Sequence, residues 1–171
     1  MFRVLCASTH TKKDRVGSHM RFIFYMVICS AFCGAAYAGN LSLKDGDSFV
    51  LNGEEIRLWG IDAPEYKQSC FNERALPYLC GQEALNMLAE IIGENTMHCT
   101  TKSTDRYGRK VSKCDIGGHD IGAMMVRSGH AIDYKYFSDG YYSSEQRYAK
   151  ARKLGLWRGK CMSPRTWRKR R

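Results

Sequence analysis

The dipeptide Asn52-Gly53 separates two short runs of strand-forming residues, 48–51 and 55–61, and this feature most restricts the fold. Asn-Gly is a strong signal for a two-residue turn, because both turn positions need a positive φ that few other residues adopt. The sequence therefore predicts an antiparallel hairpin near residue 50. Asp47 precedes the first strand and Asp62 ends the second, so we expect both carboxylates at the open end of the hairpin, opposite the turn.

Hydrophobic spacing and turn residues predict the elements that follow the hairpin. These are a helix over 81–92, strands over 96–101 and 110–116 around a polar loop at 102–108, a helix over 121–128, a strand over 130–134, and a helix from 143 to about 153. Ser143 and Gln146 match a capping box at the start of the last helix. Short strands with small helices between them indicate a closed or nearly closed barrel of mixed, α+β class.

Charge is distributed unevenly along the 171 residues, a length that suits one domain. The formal net charge of +10 suggests a polyanionic partner. However, residues 39–146 carry 11 basic and 16 acidic residues, whereas residues 147–171 carry 11 basic residues and no acidic one. A protein that simply coats DNA would also place cations on its body. The pattern favours a body that concentrates a metal ion, followed by a basic segment that either binds nucleic acid or only aids solubility.

Residues 1–38 have the pattern of a leader with a cleavable signal peptide. The uncharged run 22–33 follows several basic residues and ends in an A-x-A motif at Ala36 and Ala38, which predicts cleavage after Ala38 and a secreted or periplasmic protein. A buried helix or a membrane anchor is the alternative, but the run is shorter than the roughly 20 apolar residues that span a bilayer. Translation could start at Met1 or at Met20.

We therefore predict three segments: the leader 1–38, a folded domain 39–160 and a basic tail 161–171. The mature chain is expected to be a monomer without stable membrane association.

The mature chain contains five cysteines, and export to an oxidising compartment favours disulfides between them. The chain has no C-x-x-C motif after residue 38 and no histidine at ligand spacing from a cysteine, which argues against zinc. Five cysteines can form two bridges in fifteen ways, and spacing alone does not decide between them. The positions of the cysteines favour two pairings. Cys70–Cys80 would close a short loop, and Cys99–Cys114 would link two predicted strands. Cys161 is then left free or intermolecular.

Two of the acidic residues could bind a metal ion. Asp47 and Asp62 could hold a hard cation through carboxylate oxygens. Taken alone, Asp45, Asp47 and Asp62 are better explained as turn residues that accept backbone amides.

Arg57, Arg109 and Glu65 extend this hypothesis to chemistry. A guanidinium offers a planar fork that matches two phosphate oxygens, and a glutamate near a metal can orient or deprotonate water. The alternatives are a salt bridge from Arg57 to Glu54 or Glu55 and a solvated loop position for Arg109. Phosphodiester hydrolysis needs a phosphate clamp, a metal and an activated water, and the five residues together could supply all three.

Three motifs resemble the staphylococcal nuclease (thermonuclease) family in their order and separation. They are Asp45-Gly46-Asp47-Ser48, Ile56-Arg57-Leu58-Trp59-Gly60-Ile61-Asp62-Ala63-Pro64-Glu65 and Thr104-Asp105-Arg106-Tyr107-Gly108-Arg109. The resemblance extends from about residue 41 to 157. It implies an OB-fold, a five-stranded β-barrel with about three α-helices, and calcium-dependent hydrolysis of DNA and RNA that leaves 3′-phosphate ends.

The resemblance also implies a role for each site residue. The expected Ca²⁺ ligands are the carboxylates of Asp47 and Asp62 and the backbone carbonyl of Ala63. The expected catalytic residues are Arg57, Glu65 and Arg109. The expected nucleotide contacts are Tyr107, Tyr134 and Tyr136. We expect folding to survive substitution of the catalytic residues and calcium carboxylates, because they are predicted at strand ends and in loops.

The chain departs from the family at three places: Ser48 replaces a threonine, residues 68–81 form a cysteine-bearing insertion, and the C-terminal end is rich in arginine. A non-catalytic nucleic-acid-binding module of the same fold is the second hypothesis, and an exported structural or envelope-binding domain is the third.

Overall fold

The structure is a computed structural model that describes residues 40–170, so the predicted leader and its cleavage site lie outside the described residues. The strands in this range are β1 (Leu41–Leu43), β2 (Ser48–Leu51), β3 (Glu54–Leu58), β4 (Ile61–Asp62), β5 (Cys70–Phe71), β6 (Pro77–Tyr78), β7 (Met97–Thr104), β8 (Lys110–Ile116), β9 (His119–Asp120) and β10 (Ile132–Asp133). The helices are α1 (Cys80–Ile92), α2 (Ile121–Arg127), α3 (Lys135–Ser138), α4 (Ser143–Ala151) and α5 (Pro164–Arg168), with a 3₁₀ turn at Gly155–Arg158.

The predicted hairpin is confirmed. Strands β2 and β3 pair antiparallel with Leu51 opposite Glu54, and the turn residues Asn52 and Gly53 have φ angles of 53° and 83°. The second strand is shorter than predicted, because the chain turns at Gly60 (φ 74°) and continues as β4. This short strand pairs with β10 instead of β2, which places Asp62 on a separate two-stranded ladder.

The main sheet has the strand order β1-β2-β3-β8-β7, with β9 added to β8. Strands β3 and β8 pair in parallel, whereas the other neighbours in this sheet are antiparallel. A mixed sheet with helices packed on it makes the fold α+β, as predicted. Among the described residues, three helices have seven or more residues (α1, α2 and α4), and α3 and α5 are shorter.

The hydrophobic core lies between this sheet and two helices. Phe49 of β2 and Leu58 of β3 meet Leu88 of α1 and Met125 of α2, and all four are almost completely buried. Helix α1 presents its buried side at helical spacing (Ala84, Leu88 and Ile92). Leu88 and Ile92 belong to the spacing that predicted the helix, whereas Leu85 is half-buried and Ala89 is exposed. The core therefore holds α1 beneath the strands whose ends carry the predicted site residues.

Several predictions of local structure are wrong, because contacts with residues farther along the chain determine the structure instead. The capping box does not form: Ser143 Oγ donates to Asp133 Oδ2 at 2.8 Å, and Gln146 Oε1 accepts from the Asp133 backbone N–H at 3.1 Å. Strand β7 continues to Thr104, into the predicted polar loop, because it pairs with β8 across a bulge after Thr101. The sequence also did not predict β1, β9, the β5–β6 hairpin inside the insertion, α3, α5 or the 3₁₀ turn.

Cys99 and Cys114 lie directly opposite each other on β7 and β8 and form a disulfide, as predicted. The sequence leaves Cys161 free or intermolecular, and the structure places it beside Cys70 and Cys80. An antiparallel bridge between Phe71 and Lys160 brings Cys161 against β5, and the sulfurs of Cys70, Cys80 and Cys161 lie within 4.8 Å of one another. Cys70 is within bonding distance of both other thiols but can bond only one at a time, so its pairing with Cys80 stays a prediction.

Among residues 40–170, none of the helices has the length and apolar character needed to cross a membrane.

Candidate active site

An open cleft of about 1130 Å³ lies beside the ends of β3 and β4. Five of the predicted site residues line it: Arg57, Glu65, Tyr107, Arg109 and Tyr134. Tyr136 lies outside this cleft, 83% exposed, with its ring edge-on to Phe137. The structure therefore brings the two arginines, the glutamate and two of the three tyrosines to one surface.

Asp47 and Asp62 converge on Arg57, which lines this cleft. The Arg57 guanidinium donates through Nη1 to Asp47 Oδ1 and through Nη2 to Asp62 Oδ1, both at 3.0 Å. The two carboxylates are almost fully buried, and the Arg57 side chain is 17% exposed. The expected alternatives for Arg57, ion pairs with Glu54 or Glu55, are not the arrangement found; Glu54 and Glu55 instead pair with Lys110 and Lys44.

The loop before β2 sets the position of Asp47. Asp45 is the turn carboxylate here, since its Oδ1 accepts from the Asp47 N–H at 3.1 Å and the Ser48 hydroxyl at 2.7 Å. Asp47 Oδ2 accepts from the Ala63 backbone N–H at 2.9 Å, which ties this loop to the end of β4. A Cβ on Gly46 would lie 2.7 Å from the Cβ of Ala84, so only glycine allows this approach to α1.

Burial shifts the pKa values of both carboxyls upward. Burial raises the pKa of Asp47 to about 8, with Arg57 opposing the shift and Asp45 and Asp62 adding to it. Burial also raises the pKa of Asp62, although Arg168 and Arg57 oppose it. In both cases burial disfavours the charged carboxylate, and the neighbouring arginines only partly offset this effect. Carboxylate oxygens are the ligands that a hard divalent cation prefers, and Asp47 and Asp62 could hold one together.

Glu65 follows β4 and is bound by Arg168, which is not among the predicted site residues. Arg168 of α5 donates through Nη1 to Glu65 Oε1 at 2.8 Å, and through Nη2 to Asp62 Oδ1 at 2.9 Å and Oδ2 at 3.2 Å. The sequence contains a signal for α5, because Ser163 followed by Pro164 is typical of a helix start. That signal could predict the helix but not the place where its arginine binds.

The backbone around Glu65 is packed closely against the start of α1. A Cβ on Gly81 would lie 1.8 Å from the Glu65 carbonyl oxygen, so the first turn of α1 rests directly on this peptide group. Gln68 is fully buried and donates through Nε2 to the Met162 carbonyl at 2.8 Å. The insertion therefore connects the Glu65 loop to the C-terminal segment.

Arg109 is held by the turn that precedes it. Asp105 Oδ1 accepts from the backbone N–H groups of Tyr107 and Arg109, and Asp105 Oδ2 accepts from Arg109 Nε at 2.8 Å. Gly108 has a φ of +84°, which completes the turn. The Arg109 guanidinium lies 5.5 Å from the centre of the Tyr107 ring. It is therefore an oriented side chain at the cleft and not a freely solvated one.

Comparison with known proteins agrees with the sequence motifs. The family model described as staphylococcal nuclease homologue matches residues 55–159. The succinoglycan biosynthesis protein ExoI of Rhizobium meliloti (strain 1021) is 37% identical over 122 residues, which cover 70% of this chain and 64% of that protein. The probable endonuclease LCL3 of Clavispora lusitaniae (strain ATCC 42720) is 33% identical over 113 residues, which cover 60% of this chain and 47% of that protein.

An uncharacterized endonuclease of Haemophilus influenzae (strain ATCC 51907 / DSM 11121 / KW20 / Rd) is 28% identical over 136 residues, which cover 75% of this chain and 71% of that protein. This chain therefore spans less than two thirds of the first two relatives named above. The family model matches more than half of the chain. The chain belongs to the staphylococcal nuclease homologue family.

Proposed function

We propose that the protein is a hydrolase that cleaves phosphodiester bonds, a calcium-dependent endonuclease acting on DNA and RNA. The observation that carries the proposal is the bridge from Arg57 to the buried carboxylates of Asp47 and Asp62, in a cleft that Arg109 and Glu65 also line. Family membership and the names of the relatives as endonucleases support the reaction class.

The ligands proposed for Ca²⁺ are the carboxylates of Asp47 and Asp62 and the carbonyl of Ala63. Their oxygen chemistry suits this cation, and the two carboxylates lie together, since Arg57 binds both of them. A bound Ca²⁺ supplies positive charge that stabilises the phosphate as negative charge grows on its oxygens.

Arg57 and Arg109 are proposed to bind the phosphate from the cleft walls. Each guanidinium is oriented before substrate arrives, Arg57 by Asp47 and Asp62 and Arg109 by Asp105. Donors that are already oriented lower the barrier more than mobile ones, because no reorganisation is needed when charge develops. Glu65 is proposed to accept a proton from the attacking water or to orient that water, and its side chain is 30% exposed to the cleft.

The proposed products carry a 3′-phosphate, as the resemblance to the family implies. Tyr107 and Tyr134 are proposed to contact the nucleotide, since aromatic rings beside a cationic groove stack on any base and need no particular sequence. Tyr136 is the weakest of the three proposed contacts because it lies outside the cleft.

We also propose that the protein is exported to the periplasm or the medium and acts there as a monomer. The leader pattern in residues 1–38 supports export. The disulfide between Cys99 and Cys114 supports an oxidising compartment, where such bonds persist.

Nicking of supercoiled plasmid by the purified protein, with calcium or with a chelator, tests the proposal. Arg109→Ala should lower the rate by about 10²–10³, as removal of one preorganised donor does in comparable sites. Arg106→Ala is the matched control, because this arginine lies in the same turn and cleft but, among the described residues, hydrogen-bonds the Tyr107 hydroxyl and forms no ion pair with Asp105. Binding of DNA without cleavage by the wild type would instead identify a non-catalytic binding module.

A further inference from the structure

We propose that Arg168 is a built-in competitor for the metal site: its guanidinium occupies Asp62 and Glu65 until a cation displaces it. The inference rests on the proposed function, since it assumes that Asp62 is a metal ligand. Three hydrogen bonds of 2.8–3.2 Å join this one side chain to both carboxylates. It therefore binds a proposed metal ligand and the proposed catalytic glutamate at the same time.

The carboxylate oxygens at this site are already engaged by internal donors. Asp47 Oδ1 accepts from Arg57 and Oδ2 from the Ala63 N–H. Asp62 Oδ1 accepts from both Arg57 and Arg168, and Asp62 Oδ2 accepts from Arg168. Both acceptor sites of Asp62 Oδ1 are therefore filled, so a cation that binds Asp62 through both oxygens must displace a donor, and at Oδ2 it would lie beside the like charge of Arg168.

Arg168 is the donor that can leave. Arg57 lies on β3 between two paired strands, and its side chain is 17% exposed. Arg168 lies on the last turn of the five-residue helix α5, and its side chain is 35% exposed. Rotation of the Arg168 side chain toward solvent would free Asp62 without disturbing a strand.

The backbone of α5 is anchored, so the guanidinium stays near the site after it leaves. Ser163 caps the helix through the Thr166 N–H at 3.3 Å, and Pro164 is buried. Gln68 holds the preceding Met162 carbonyl. A tethered cation of this kind competes at a high effective concentration. The protein should consequently need more calcium than the same site would without Arg168.

Calorimetric titration of the purified protein with calcium chloride tests this competition. Arg168→Gln should lower the calcium Kd by about tenfold or more, because the competing charge is removed. Arg168→Lys keeps the positive charge but lacks the planar guanidinium, so its calcium Kd should lie between those of the wild type and Arg168→Gln. Arg165→Gln is the matched control: it removes the same charge from the same helix and cleft, and among the described residues Arg165 forms no ion pair. Its Kd should change by less than about threefold, through screened long-range effects only.

Three outcomes would overturn the proposal. Equal calcium Kd values for Arg168→Gln and Arg165→Gln would show that Arg168 does not compete. Weaker calcium binding by Arg168→Gln would show that it holds the carboxylates in place for the ion. Absence of calcium binding in the wild type and every variant would contradict the proposed calcium dependence. The inference about Arg168 would then also be wrong, because it rests on that proposal. Urea unfolding in chelator verifies that each variant is folded.

Discussion

Asp105 fixes the side chain of Arg109 at two points: its Oδ2 accepts from Arg109 Nε at 2.8 Å and pairs with Nη2 at 2.7 Å. The other carboxylate oxygen binds the backbone N–H groups of the turn. One acidic residue therefore shapes the turn and also aims the guanidinium into the cleft. This relationship gives Asp105, which is not among the predicted site residues, a positioning role.

Asp105→Asn should reduce kcat/KM by about tenfold, less than the loss expected for Arg109→Ala. The asparagine oxygen can still accept from the turn amides, but the charge that orients Arg109 is lost. Plasmid cleavage at saturating calcium measures the effect, with Arg106→Ala as the control from the same turn. A rate equal to the wild type would show that Arg109 needs no such orientation.

In chelator, the free energy of unfolding of Arg57→Ala should be about 3–5 kcal/mol lower than that of the wild type. The substitution leaves two buried carboxylates without their shared partner. This expectation differs from the one drawn from sequence, in which folding survives the substitution, because the structure places Arg57 in an ion-paired cluster with buried Asp47 and Asp62. Arg109→Ala should lower the free energy of unfolding by less than about 1 kcal/mol, since the ion pair between Arg109 and Asp105 is partly exposed. Urea denaturation of both variants provides the comparison, and equal losses would contradict it.

The elements that sequence predicts well are those fixed by neighbouring residues. Asn52-Gly53 needs only its own two φ angles to form the turn, and the apolar face of α1 follows from spacing along one helix. The family motifs likewise identified Arg57, Glu65 and Arg109, which the structure brings to one cleft.

The features that escaped prediction depend on partners far along the chain. Ser143 looks like a helix cap but binds Asp133 instead, and Cys161 reaches Cys70 only because residue 160 pairs with residue 71. Arg168 lies 106 residues from Asp62, in a segment whose composition indicates only a basic tail. Spacing and composition carry no information about such contacts, since the tertiary fold selects them.

Cys161→Ser should destabilise the protein more than Cys80→Ser, by about 2 kcal/mol. In the chain-entropy model, a Cys70–Cys161 bridge closes a separation of 91 residues and a Cys70–Cys80 bridge closes one of 10, so the former restricts the unfolded chain more. Each variant leaves one partner for Cys70. Urea unfolding, with peptide mapping under non-reducing conditions, measures the difference. A less stable Cys80→Ser variant would favour the pairing that the sequence predicted.

The contribution of His130 to stability should fall as the pH decreases from about 7.5 to about 5.5, while the raised pKa of Asp47 acts in the opposite direction. Burial lowers the pKa of this histidine; Arg158 also lowers it, whereas Glu83, Glu90 and the hydrogen bond with Ser128 raise it. Because the folded pKa lies below the unfolded value of 6.5, the unfolded chain binds more protons in this range and is favoured there.

As the pH decreases over that range, His130→Asn should gain stability relative to the wild type, while retaining a group that can bond the Ser128 hydroxyl. Urea midpoints of both proteins at several pH values, in chelator, measure this difference. A difference that does not change with pH would show that His130 does not contribute to the pH dependence.

Calcium should stabilise the wild type by about 2.7 kcal/mol when present at 100 times its Kd, because the ion binds the folded protein alone. Asp47→Asn should abolish this gain together with cleavage, since it removes one of two charged ligands while the amide oxygen can still accept from the Ala63 N–H. Asp115→Asn is the control, because this carboxylate lies outside the cleft and accepts from the Gly118 N–H. Thermal or urea unfolding with and without chelator measures the gain. An Asp47→Asn variant that calcium stabilises as much as the wild type would show that the ion binds elsewhere.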